Sequence, residues 1–177
     1  GKHRLLSVPE DIHIVIHCGD ICNDGNEEQI KDFFMWFSAL RIPNKIFVHG
    51  NHDLPFELEP YHNQKLIPSN VFWLNNKAIS IKGIVFCGIN LIDYTMFQCA
   101  QKSIDFLISH YPPYGILDSG FGSKEISQFV TQTRPKYHVF GHNHDNPGQE
   151  KTKGTICMNV SNYKELCQRE NPLQGTT

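Results

Sequence analysis

The sequence predicts a mixed α/β fold, and three observations carry that prediction. Strand-type and helix-type segments alternate early in the chain, before a second half that reads mostly as strand. Several strand runs are almost continuously apolar, as expected of strands covered on both faces. Four runs end abruptly in His, Asp or Asn: IVIHCGD (14–20), IFVHGNHD (46–53), FLISH (106–110) and HVFGHNHD (138–145). In open α/β sheets ligands gather at the carboxyl ends of the strands, so four such ends bring hard oxygen and imidazole donors into one cleft.

Residues 12–17 (IHIVIH) open the pattern with a β-branched strand run. Asn26 with Gln29 three residues on reads as a capping box, with Glu27 and Glu28 in the first turn. Ile30, Phe33, Phe34, Phe37 and Leu40 follow at helical spacing, and that helix ends before Pro43. Strand runs come next at 45–49, 71–74, 78–82, 84–88, 104–109, 137–140 and 155–160. A second helix is predicted over 123–132, capped by Ser123, with Ile126, Phe129 and Val130 on its apolar face. The segment 111–123, rich in Pro, Gly and aromatics, is the predicted wall of a substrate cleft. The aromatic run 33–37 reads as core with an exposed edge. His13, His17 and His138 read as structural, and Lys2, Arg4 and Lys45 as solvated charges.

With 177 residues and neither repeat nor linker, the chain reads as a single domain over 1–177. A net charge of -2 without a Lys/Arg cluster argues against nucleic acid as partner. Apolar runs fall far short of the ~20 residues that span a bilayer, so no membrane association is expected. Cys18, Cys22, Cys87, Cys99, Cys157 and Cys167 are irregularly spaced and contain no CxxC pair. Free thiols in a reducing cytoplasm are the expectation, rather than disulfides or a thiolate zinc site.

Gly19-Asp20, Gly50-Asn51-His52-Asp53, His110 and Gly141-His142-Asn143-His144 match, in order, the blocks of the calcineurin-like metallophosphoesterases. The resemblance spans roughly residues 12 to 162 and extends to a small bacterial branch related to animal metallophosphoesterase-domain proteins. It implies a four-layer α/β/β/α sandwich and hydrolysis of phosphate esters, either phosphodiesters or small phosphorylated metabolites. It also implies two divalent cations (Mn, Fe, Zn or Ni) and a metal-bound hydroxide as nucleophile. By the same resemblance Asp20 bridges the metals; Asn51, His110 and His142 complete the second site; and His144 reaches to the first. His52 would face the phosphate and protonate the leaving oxygen, with Asp53 orienting its imidazole. Glycines 19, 50 and 141 would permit the tight turns that carry these ligands.

One departure stands out. The family's first block, Asp-x-His at the end of the first strand, has no counterpart ahead of Asp20, and His3 is a poor substitute. The sequence reads as if that strand were cut off just before Gly1, which leaves the first site with Asp20 and His144 alone. The alternative expectation is therefore a non-catalytic metal- or phosphate-binding module.

Overall fold

The computed structural model describes residues 2–90 and 103–170, so Cys99 lies outside the described residues. One sheet is wholly parallel, with β1 (Ile14–His17), β2 (Asn44–Phe47) and β3 (Val71–Trp73) in that order. The second sheet holds β4 (Lys77–Ile81), β5 (Ile84–Gly88), β6 (Phe106–Ile108), β7 (Tyr137–Phe140), β8 (Gly148–Thr152) and β9 (Thr155–Asn159). Its order is β4-β5-β6-β7-β9-β8; the inner strands run parallel, and antiparallel hairpins add the two edges. The described residues also form the helices α1 (Glu27–Ala39), α2 (Pro55–Leu58), α3 (Pro60–Asn63), α4 (Lys124–Thr133) and α5 (Tyr163–Glu170).

Three apolar clusters define four layers, as the α/β/β/α expectation requires. Ile30, Phe33, Phe34 and Phe37 of α1 pack on Phe47, Phe56 and Val71 across the outer face of the first sheet. Ile46, Val48 and Leu74 meet Phe86, Ile108 and Val139 between the two sheets. Ile126 and Val130 of α4 cover Cys87 and Leu107 on the outer face of the second. The aromatic run divides as its helical spacing demands: Phe33, Phe34 and Phe37 are buried while Met35 is exposed. Removing one of these buried rings would cost about 3–5 kcal/mol.

Both predicted helix starts are capped by the expected residue. The Ser123 hydroxyl accepts from Ile126 N at 3.1 Å, and Asn26 Oδ1 accepts from Gln29 N at 3.0 Å. The capping box itself is only half formed, because Gln29 Oε1 accepts from the Asn23 N–H at 2.9 Å and not from Asn26. Cys18, Cys22, Cys87, Cys157 and Cys167 are free thiols.

Lys45 departs from expectation. It is 3% exposed, and its Nζ donates to Ile42 O at 2.7 Å, so it is a buried side chain and not a solvated charge. The β8 strand has no signature in the sequence, because GQEKT is polar and exposed. Its hairpin turns through Lys153 and Gly154, both at positive φ, which fits the short primed turns.

His138 on β7 is fully buried, and its Nε2 lies 2.8 Å from the Ser109 hydroxyl, which itself donates to Tyr111 O. Burial pushes its pKa down to about 3, and burial likewise takes His17 to about 4. Each imidazole is therefore neutral in the folded chain and charges near pH ~6.5 once unfolded. The unfolded state binds more protons between about pH 6.5 and 3, so stability falls on acidification through that window. Urea unfolding should show a lower midpoint near pH ~5 than near pH ~7, and His138→Asn should shrink the difference. An unchanged pH dependence in that variant would contradict the assignment.

Candidate metal centre

Asp20 follows β1 and Asn51 follows β2, while His110 follows β6 and His142 follows β7. Each sheet thus contributes two donors from the carboxyl ends of parallel strands. The His110 Nε2 lies 2.9 Å from Asn51 Oδ1 and 3.3 Å from Asp20 Oδ2. His142 Nδ1 lies 3.0 Å from the same amide oxygen and 3.2 Å from His110 Nε2. Donor atoms of Asp20, His110 and His142 all fall within 4.8 Å of one another.

The tautomer of His110 follows from its other nitrogen. Nδ1 lies 2.7 Å from Cys18 O, and a carbonyl can only accept, so Nδ1 carries the proton there. Nε2 then faces a carboxylate, an amide oxygen and a second imidazole with a lone pair of its own. Such a gathering of acceptors needs positive charge among them, either a proton or a cation. Burial opposes charging of His110, but Asp20 outweighs it and raises its pKa. Asp20 is also pushed up by burial, yet the His110 contact and the His52 N–H hold it down to about 2. Burial and the neighbouring His110 push His142 to about 4, so near neutral pH it offers a lone pair. This mixed oxygen and imidazole set suits a divalent first-row cation.

The local backbone is shaped to close the cluster. Asp20 and His142 both sit in the left-handed region, at φ 61° and 63°, which costs of order 1–3 kcal/mol each for non-glycine residues. Gly19 has φ 96°, and a Cβ there would stand 2.6 Å from Gly50 N and 2.7 Å from His110 Nδ1. A Cβ on Gly50 would stand 2.2 Å from Asp20 Oδ1. Gly141 differs from the expected role: a Cβ there would meet only ordinary contacts at 3.4 Å and beyond, and the turn is taken by His142 instead.

A calcineurin-like phosphoesterase family model matches residues 3–146, a span that contains all four donors. The chain belongs to that family. It is 26% identical to UPF0046 protein K07C11.7 of Caenorhabditis elegans, covering 96% of this chain and 67% of that one. It is also 26% identical to human metallophosphoesterase domain-containing protein 1, covering 90% of this chain and 62% of the human protein. Among solved structures, TT1561 of Thermus thermophilus shares the fold at a TM-score of 0.61 and 13% identity, covering 84% of this chain and 76% of that one.

Three further residues singled out in the sequence of this family member are placed differently from one another. His52 has its backbone N–H donating to Asp20 Oδ1 at 3.1 Å and its ring Nδ1 in contact with Asn23 O. Asp53 does not orient that imidazole. It is fully buried and accepts from the backbone N–H groups of Asp20, Ile21, Cys22 and Gly50 at 2.7–3.1 Å. Both of its oxygens are thus engaged in joining two turns. His144 lines the same cleft as Asp20 and His142 but is stacked on Tyr163, ring centroids 4.6 Å apart, outside the converging set. Ahead of them, His3 packs against Phe33 and Trp36 with Nε2 3.1 Å from Asp32 Oδ2, and so serves the α1 face.

His49, which by its place before Gly50 could equally line the cleft or pack within its strand, is packed inside. It is buried, accepts from Trp73 Nε1 at 3.1 Å, and sets Nε2 3.2 Å from Glu57 on α2, bracketing the turn that carries Asn51. Only its position before Gly50 hints at this. Gly50→Ala should displace the Asp20 carboxylate and weaken Mn2+ binding about tenfold or more, as disturbance of ligand support does. Titration followed by the electron paramagnetic resonance of free Mn2+ reads this directly; an unchanged affinity would count against the site.

Proposed function

We propose that this chain hydrolyses phosphate esters, a phosphodiester or a small phosphorylated metabolite, at a centre of Asp20, Asn51, His110 and His142. The observation that carries the reading is the convergence of four ligand-type side chains, one carboxylate, one amide and two imidazoles, on one point at the strand ends. Divalent cations bound there would acidify a water molecule and offset the negative charge of a phosphoryl group. Family membership supports a pair of metals, with Asp20 as the shared ligand and His144 turning from Tyr163 towards the first. Manganese, iron, zinc and nickel all suit these donors.

The chain's own residues supply the rest. The amide of Asn51 and the imidazole of His52 would meet a phosphate bound to the cluster. His52 Nε2 is the nitrogen free to stabilise developing charge and to give a proton to the leaving oxygen. Asp53 holds the His52 turn against the Asp20 turn and so fixes the distance between them.

A second reading, a binding module without turnover, is favoured by one observation. His144 stacks on Tyr163, and the described residues assemble one full donor set, not two. Hydrolysis of bis(p-nitrophenyl) phosphate with Mn2+ separates the two. Turnover abolished by His142→Ala supports the enzyme. A folded, Mn2+-binding chain with no turnover supports the module.

A further inference from the structure

Beside the metal cluster, a shallow recess of about 160 Å³ is lined by Phe121, His142, Asn143, His144 and Asp145. Phe121 is 63% exposed, and its ring centroid stands 6.4 Å from that of His142. Single exposed apolar side chains are ordinary on protein surfaces. This one is unusual in being held rigidly at the border of a cluster of ligand-type side chains. Met35 and Leu58, also exposed, line neither this recess nor the cleft.

The rigidity comes from the loop that carries the ring. Its base is closed by Tyr114 N donating to Ser123 O at 2.9 Å and Ser123 N donating to Pro112 O at 2.9 Å. Inside it, the Asp118 carboxylate accepts from Gly115 N and Gly122 N, and Phe121 N donates to Asp118 O at 2.8 Å. Gly122 has no room for a side chain, since a Cβ would stand 2.6 Å from Asp118 Oδ2. Buried Asn143, between His142 and His144, donates to Leu117 O at 2.7 Å and Ser119 Oγ at 3.0 Å. The same asparagine that separates the two histidines therefore pins the loop bearing Phe121. Asn159 donates to Asn143 O and Asn146 O and holds that turn from below.

We propose that Phe121 and this recess form the subsite for the organic group of the ester, selecting substrates in which that group is a planar aromatic ring. The proposal rests on the phosphoesterase reading and deepens it. The recess volume of about 160 Å³ is comparable to that of one ring, which would lie against Phe121 with its outer edge in solvent. A ring laid against Phe121 gains an aromatic contact beyond simple area burial, and the loop, already ordered, gives up little freedom when it binds. Asp145, whose Oδ1 is paired with the Lys164 ammonium, has Oδ2 as a second acceptor at the border of the recess, which suits a ring bearing N–H groups.

Binding of phenylphosphonate and methylphosphonate to the Mn2+-loaded chain, measured by calorimetry, tests this without requiring turnover. Wild type should prefer the phenyl compound about tenfold. Phe121→Ala should bring that ratio close to one, and Phe121→Trp should keep it; the exposed position removes no core contact in either variant. Equal affinities in wild type, or a preference that survives Phe121→Ala, would overturn the subsite while leaving the phosphoesterase reading intact. Failure of both phosphonates to bind would overturn that reading and the subsite together.

Discussion

The carboxylate of Asp53 accepts N–H groups from Asp20, Ile21 and Cys22 on the loop after β1, and from Gly50 on its own turn. Those two loops carry Asp20 and Asn51, the donors that the first sheet contributes. Burial pushes the Asp53 carboxyl up, and the N–H groups of Gly50 and Cys22 oppose it. Each N–H left without its acceptor would cost about 1–3 kcal/mol, so the four bonds act as one cross-brace. With the Gly19 and Gly50 backbones in close approach beneath it, the brace sets how closely the first sheet's donors approach His110. The second sheet is tied to the same point through His110 Nδ1 and Cys18 O. The cluster is thus held by backbone groups more than by side-chain packing.

That arrangement explains where strain is tolerated. Asp20 and His142, one from each sheet, take left-handed backbone conformations, and each is flanked by fixed structure. The Asp53 brace over-determines the first. Asn143 and Asn159 over-determine the second, through their bonds to Leu117, Ser119 and Asn146. Strained conformations persist where the surroundings leave no alternative, and they are common where charge must be presented at a defined spot.

Much of this is legible in the chain itself, for identifiable reasons. Strand ends at Asp20, Asn51, His110 and His142 can be read because an apolar run that stops at a polar donor is a local signal. The caps at Asn26 and Ser123 are equally local. Asp53 stands beside His52 in sequence, yet three of its partners lie about thirty residues away, and sequence order does not carry that distance. Lys45 misleads because its burial depends on a sheet neighbour and on the Ile42 carbonyl. His144 pairs with His142 by spacing, but its stacking on Tyr163 arises from α5, a helix with no apolar signature in sequence.

Cys18 and Cys22 stand on either side of Asp20, and both thiols are pushed up to about 12, Cys18 by burial and Cys22 by burial and the nearby Asp53 carboxylate. Near neutral pH both stay as thiols, not the thiolate that oxidants attack and soft metals prefer. The centre is therefore walled by sulfur that behaves as hydrocarbon. Such sulfur is a poor target for oxidation to sulfenic acid and a poor ligand for soft metals, which leaves the oxygen and imidazole donors to define the centre.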